Sequence, residues 1–97
     1  MNKRSLTERY MAILEALSGG EELRAYHIAC YARLKWVELA KDLESLVALG
    51  LVEKKSTKSG VLYSITQSGK STLEKYRSVE EVFKQSLKTD ISQIKVK

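Results

Sequence analysis

The 97-residue sequence contains no proline, one cysteine, one histidine, one tryptophan and one phenylalanine. Each shortage removes a class of protein. A single cysteine, Cys30, forms no intrachain disulfide, which suits a reducing cytosol. It is expected on the second helix as a small buried hydrophobe, with an interchain disulfide or a redox-sensing thiol as the alternatives. A single histidine, His27, leaves no metal-ligand set and no acid–base pair to build around it. Glycine-rich phosphate loops and nucleophile elbows are missing as well, so no catalytic residue, cofactor or metal site is expected. The amino-terminal MNKRSLTERY carries charges without the apolar block of a secretory signal. The longest uncharged run, Ser59 to Gly69, is far too short to cross a bilayer. No segment joins a cationic face to a spare bulky apolar one for lipid. A cytoplasmic protein is therefore expected, with no membrane partner and no evident small-molecule effector. The absence of proline and the few amide side chains match a thermophile's composition.

What is present is ordinary for one folded domain: 43% of residues are hydrophobic and 30% charged. The formal net charge of +5 points to a polyanionic partner, nucleic acid or an anionic membrane surface. That charge is unevenly spread. From Met11 to Val52 the acids Glu15, Glu21, Glu22, Glu38, Asp42 and Glu44 outnumber the bases Arg24, Arg33, Lys35 and Lys41. The positive excess therefore lies in the N-terminal arm (Lys3, Arg4, Arg9), in Lys54, Lys55 and Lys58, and in the last helix.

Ser5 followed by Glu8 is a capping box, and Leu6, Tyr10, Ile13, Leu14 and Leu17 then recur at helical spacing, predicting a helix over about residues 5–18. Gly19-Gly20 closes it. Glu21 to Arg24 reads as a single extended rung. Ile28, Ala29 and Ala32 make a second, shorter apolar face, over about 25–31. After the tight break Arg33-Leu34-Lys35, a third helix over about 35–49 turns Trp36, Leu39, Ala40, Leu43, Leu46 and Val47 inward. Its other face carries Lys35, Glu38, Lys41, Asp42 and Ser45, and Gly50 stops it. LVEKK and VLYSI flank Ser56 to Gly60 as a β-hairpin over about 51–65 with a flexible polar tip. Thr66 caps a last helix over 67–97, which either frays from 89 at Thr89-Asp90 or continues its stripe through Ile91 and Ile94. The fold class is α+β, mostly α: a core over 1–66 and a long C-terminal helix. Three helices followed by a hairpin is the winged helix-turn-helix arrangement.

The run from Leu34 to Tyr76 resembles the second half of small archaeal winged-helix DNA-binding proteins, ten-kilodalton chromatin-type regulators of an archaeon or its virus. More distant kin are the multiple-antibiotic-resistance-type repressors. The pieces that carry the resemblance are Leu39 to Val52, ending L-x-x-L-x-x-L-G-L-V, the two-strand wing, and Thr66-x-x-Gly69 opening the last helix. It covers about residues 6 to 88. Where the family often caps its recognition helix with serine or threonine, Lys35 stands here. The resemblance implies a homodimer joined through the last helix, with the third helix in the DNA major groove and the wing beside it.

The residues supply candidates for those roles. On the third helix Lys35, Glu38, Lys41, Asp42 and Ser45 are placed to reach base edges, since lysine donates to guanine and a carboxylate accepts from cytosine. The alternative is a solvated helix face. In the wing Lys54, Lys55, Thr57, Lys58 and Ser59 are placed to neutralise phosphates, the alternative being a solubilising edge hairpin. Arg33, with Arg24 and Tyr31, borders the turn and is placed near the backbone. Trp36 is expected in the core or as a partly exposed packing residue at the helix start, the alternative being base contact. Leu73, Tyr76, Val79, Phe83 and Leu87 fall within an arc of roughly 120° on the last helix. Leu73 and Tyr76 pack on the first helix. Phe83 and Leu87 lie on the order of 15–20 Å further along, where a second copy is the natural cover, so Tyr76, Val79, Phe83 and Leu87 form the expected dimer stripe. The function this supports is transcriptional regulation by a homodimer on double-stranded DNA. The alternative is a protein–protein interaction module whose acidic third helix docks a protein.

Overall fold

The computed structural model describes the backbone of residues 5–96 and the side chains of residues 5–85. Lys3, Arg4 and the side chains of Leu87, Ile91 and Ile94 lie outside the described residues. Helix α1 (Leu6–Ala16) begins at the capping box: Glu8 N–H donates to Ser5 Oγ at 3.1 Å, and Ser5 N–H donates to Glu8 Oε1 at 2.9 Å. The helix and its C-cap bury Ile13, Leu14 and Leu17 completely. The chain then makes one rung, Leu23, which exchanges backbone hydrogen bonds of 2.9 and 2.8 Å with Tyr63.

Helix α2 (Ala25–Ala32) turns Ile28 and Ala32 inward and ends at Arg33, whose φ of 58° is left-handed. A side chain with a Cβ pays roughly 1–2 kcal/mol for that conformation. It is tolerated because it delivers the tight turn into α3 (Trp36–Ala48). Helix α3 buries Leu39, Asp42, Leu43 and Leu46. The sequence pattern placed Trp36 and Ala40 on that inner face, but both are exposed. The buried arc is rotated toward Asp42, by roughly 50° at 100° per residue, because α1 presents Arg9 on that side as a partner for the carboxylate.

Helix α3 stops at Gly50, which adopts a φ of 79° so that Leu51 N–H reaches Leu46 O and Gly50 N–H reaches Val47 O, both at 3.0 Å. Strands β1 (Val52–Thr57) and β2 (Gly60–Ile65) pair antiparallel from Val52↔Ile65 to Thr57↔Gly60. Only Lys58-Ser59 is left for the turn, shorter than the expected five-residue tip. Thr57 Oγ1 donates to Gly60 O at 2.7 Å and closes it. Helix α4 (Gln67–Val96) starts at Thr66 and runs through Thr89-Asp90 without a break. At 1.5 Å per residue it is about 45 Å long. Leu39, Leu43 and Leu46 of α3 share the core with Ile13, Leu14 and Leu17, and Ile28, Val52, Ile65 and Leu73 close its sides. No helix among the described residues is long and apolar enough to cross a membrane.

Candidate nucleic-acid interface

Burying Leu39, Leu43 and Leu46 forces the opposite side of α3 outward. That side presents Val37, Ala40, Lys41 and Glu44, all exposed, with Lys35 and Trp36 exposed at its start. Of the expected base-reading residues, Lys35 and Lys41 face solvent, and Glu38 and Ser45 are half-buried at the flank. Asp42 requires correction. It is 3% exposed, and the Arg9 guanidinium donates to it twice, Nε at 2.7 Å and Nη2 at 3.3 Å. The hydrogen bond to Asp42 raises the Arg9 pKa above its ordinary value, against an opposing effect of burial. The guanidinium stays charged, and the pair ties α3 to α1.

Asp42 is thus a strut between α3 and α1. Replacing it with alanine is expected to lower stability by about 2 kcal/mol, the scale of hydrogen bonds to a charged partner. Arg9 keeps contact with water, so the larger cost of a stranded buried charge does not apply. Urea unfolding checks this, and Asp42→Asn, which retains an acceptor, is expected to lose less. If the alanine variant were as stable as the parent but lost DNA binding, Asp42 would be a reader after all.

The hairpin sorts its lysines by strand alternation. Lys54 lies on the α3 side, where it lines a shallow groove with Leu43, Glu44, Val47 and Tyr63. Lys55 points the other way, with its ammonium 3.6 Å from Glu22 in an exposed ion pair. Lys58 and Ser59 form the exposed tip, and Thr57 is half-buried beneath them. The three lysines are near neighbours in sequence but do not share one face. Arg24, at the start of α2, reaches the same tip: a Cβ on Gly60 would sit 3.3 Å from its guanidinium. Arg33 is exposed at the turn between α2 and α3.

Two expectations about α2 and the start of α3 change. Cys30 is exposed rather than buried, and Trp36, 59% exposed, lies outside the core. Val37, which sequence reasoning passed over, is 71% exposed. Its position opposite Leu39 and Leu43 on the helical wheel was the available signal. On α4, Tyr76 is half-buried against α1, whereas Val79, Val82 and Phe83 are exposed. The Leu87 side chain lies outside the described residues. Among the described residues no group of histidine, cysteine, aspartate or glutamate could hold a metal ion.

Three helices closed by a two-stranded hairpin and a single rung, with a long helix following, define a winged-helix fold, a class of binding modules rather than enzymes. The family model described as winged helix-turn-helix matches residues 3–84, and the chain belongs to that family. Solved structures agree on the fold. Sso10a-2, a DNA-binding protein from Sulfolobus solfataricus, is 22% identical with a TM-score of 0.73, the match covering 94% of this chain and 96% of that one. The transcriptional regulator BldR, also from Sulfolobus solfataricus, is 21% identical with a TM-score of 0.72, covering 84% of this chain and 60% of that one. BpsR from Bordetella bronchiseptica, whose DNA binding is regulated by 6-hydroxynicotinic acid, is 19% identical with a TM-score of 0.71, covering 80% and 57%. Among curated proteins none matches.

Proposed function

We propose that this chain is a homodimeric transcriptional regulator that binds double-stranded DNA, with α3 in the major groove and the hairpin along the backbone beside it. The observation that carries the reading is the continuity of the outward side of α3 with a lysine-bearing hairpin, across the groove that Glu44, Val47 and Lys54 line together. The winged helix-turn-helix family and the DNA-binding proteins of like fold support it. Division of labour follows from charge. The recognition helix itself carries Glu38 and Glu44, so phosphate affinity comes from Lys54, Lys58, Arg24 and Arg33 at its flanks, while α3 supplies discrimination. A second copy joined through α4 would present two recognition helices, and half-sites about one helical turn apart, roughly 34–36 Å, suit such a dimer.

The acids of α3 favour the rival reading, a protein-docking module. A salt titration of duplex binding separates the two. Each lysine that neutralises a phosphate contributes about 0.9 to the slope of log affinity against log salt. Replacing Lys54, Lys55 and Lys58 with alanine is expected to flatten that slope by about 2 and to weaken binding on every duplex alike. Lys55→Ala alone contributes least, because Glu22 already engages its ammonium. A slope unchanged in the triple variant would remove the hairpin from the interface. No binding in dilute salt would favour the docking module.

A further inference from the structure

What α3 reads in a groove is a separate matter from whether it enters one, and the inference that follows rests on the duplex-DNA reading above. Between Lys35 and Leu49 there is no arginine, asparagine or glutamine, so of the side chains that bond two atoms of one purine edge only Lys35 and Lys41 are present. Beside these two lysines, the outward side carries exposed apolar side chains in the first turns of α3. Val37 and Trp36, 71% and 59% exposed, stand side by side in the first turn, and exposed Ala40 follows Val37 by three residues. Hydrocarbon held in water this way is stabilised only by a partner that covers it. On the major-groove edges of DNA the base group that offers hydrocarbon is the C5 methyl of thymine. Glu44 continues the outward row beside Lys41, and its carboxylate pairs with an amino donor, on adenine or cytosine, rather than with the acceptor-only edge of guanine.

We infer that α3 selects DNA by covering thymine C5 methyl groups with Val37 and Ala40, Trp36 shielding the contact at its edge, so that thymine-rich major grooves are bound in preference to others. The flanking lysines and arginines hold the duplex in place, and the methyl groups decide where along it the protein stays.

Substituting deoxyuridine for thymidine tests this, because it deletes the methyl and leaves the base pair intact. Each methyl covered is expected to contribute about fourfold to affinity. A thymine-rich duplex is then bound roughly fifteenfold more tightly than its deoxyuridine counterpart once two methyls are covered. Val37→Ala removes only exposed atoms, so the variant folds, and its thymidine-to-deoxyuridine ratio is expected to fall toward one. In a guanine–cytosine duplex, 5-methylcytosine places a methyl at the same groove position and is expected to tighten binding. Equal affinity for the thymidine and deoxyuridine duplexes overturns the inference while leaving DNA binding intact. So does a 5-methylcytosine duplex bound no better than its unmethylated parent, which would assign any thymine preference to groove shape. Failure to bind any of these duplexes overturns the inference together with the DNA reading.

Discussion

Replacing Gly69 with alanine is expected to destabilise the protein by about 3 kcal/mol, at the upper end of overpacking costs. At 4–8 °C per kcal/mol for a domain of this size, the melting temperature falls by about 15 °C. Two effects compete at this position. Alanine is the better helix former by about 1 kcal/mol, and Gly69 lies in the first turn of α4. Against that, a Cβ there would overlap the carbonyl oxygen of Leu51 and sit 2.7 Å from Ile65 Cγ1. The first obstacle is backbone and cannot swing aside. The clash therefore wins, and α4 must pull away from the end of α3. Gly19→Ala is the control: nothing lies within 4 Å of its added Cβ, so its stability is expected to stay within about 0.5 kcal/mol of the parent. A Gly69→Ala protein that melts with the parent would show that this joint has room to spare.

The joint matters because it couples two surfaces. Thr66 Oγ1 donates to Gly50 O at 2.7 Å and accepts from Gly69 N–H at 3.0 Å, while Thr66 N–H donates to Leu51 O at 3.1 Å. One threonine thus binds the end of the recognition helix and the start of the long helix. The close approach at Gly69 fixes the angle between them, and with it the direction in which α3 faces when α4 is held by a partner.

Much of this was legible in the sequence because the signals were local. The capping box at Ser5, the glycine stop at Gly50 and the Thr66-x-x-Gly69 start each depend on residues within a few positions of one another. The order of helices and hairpin followed from periodicity alone. Long-range pairing was illegible. Asp42 sits at a spacing that a helical wheel assigns to solvent. Only the arrival of Arg9, 33 residues away, turns it inward, and that rotation carries Trp36 and Ala40 outward. Lys54 and Lys55 show the same limit from the other side. Sequence proximity suggested one basic cluster, but the alternation of a strand whose register was uncertain sends them to opposite faces. Cys30 was placed by the average habit of cysteine, which the small helix α2 has too little buried face to satisfy.

Introducing a charge into the α4 stripe, as Phe83→Glu with Val79→Glu, is expected to convert the protein to single chains at micromolar concentration and to weaken duplex binding by roughly a hundredfold or more. Arg77 ties α4 to its own domain, its guanidinium bonding Glu15 of α1 at 2.8 and 3.0 Å. Beyond that pair the helix continues for 19 residues, from Ser78 to Val96, which is about 28 Å of helix. Val79, Val82 and Phe83 are 51%, 61% and 64% exposed there. A second copy of α4 covers such a stripe without adding any new kind of surface. Because these side chains contribute nothing to the core of their own domain, the double variant keeps its melting behaviour as a monomeric winged helix, and sedimentation reads the change in mass directly. The loss of affinity comes from avidity: two linked domains rebind a half-site before either diffuses away, and a single domain does not. A parent protein that sediments as one chain, or a monomeric variant that binds duplex as tightly as the parent, would remove the second copy from the mechanism.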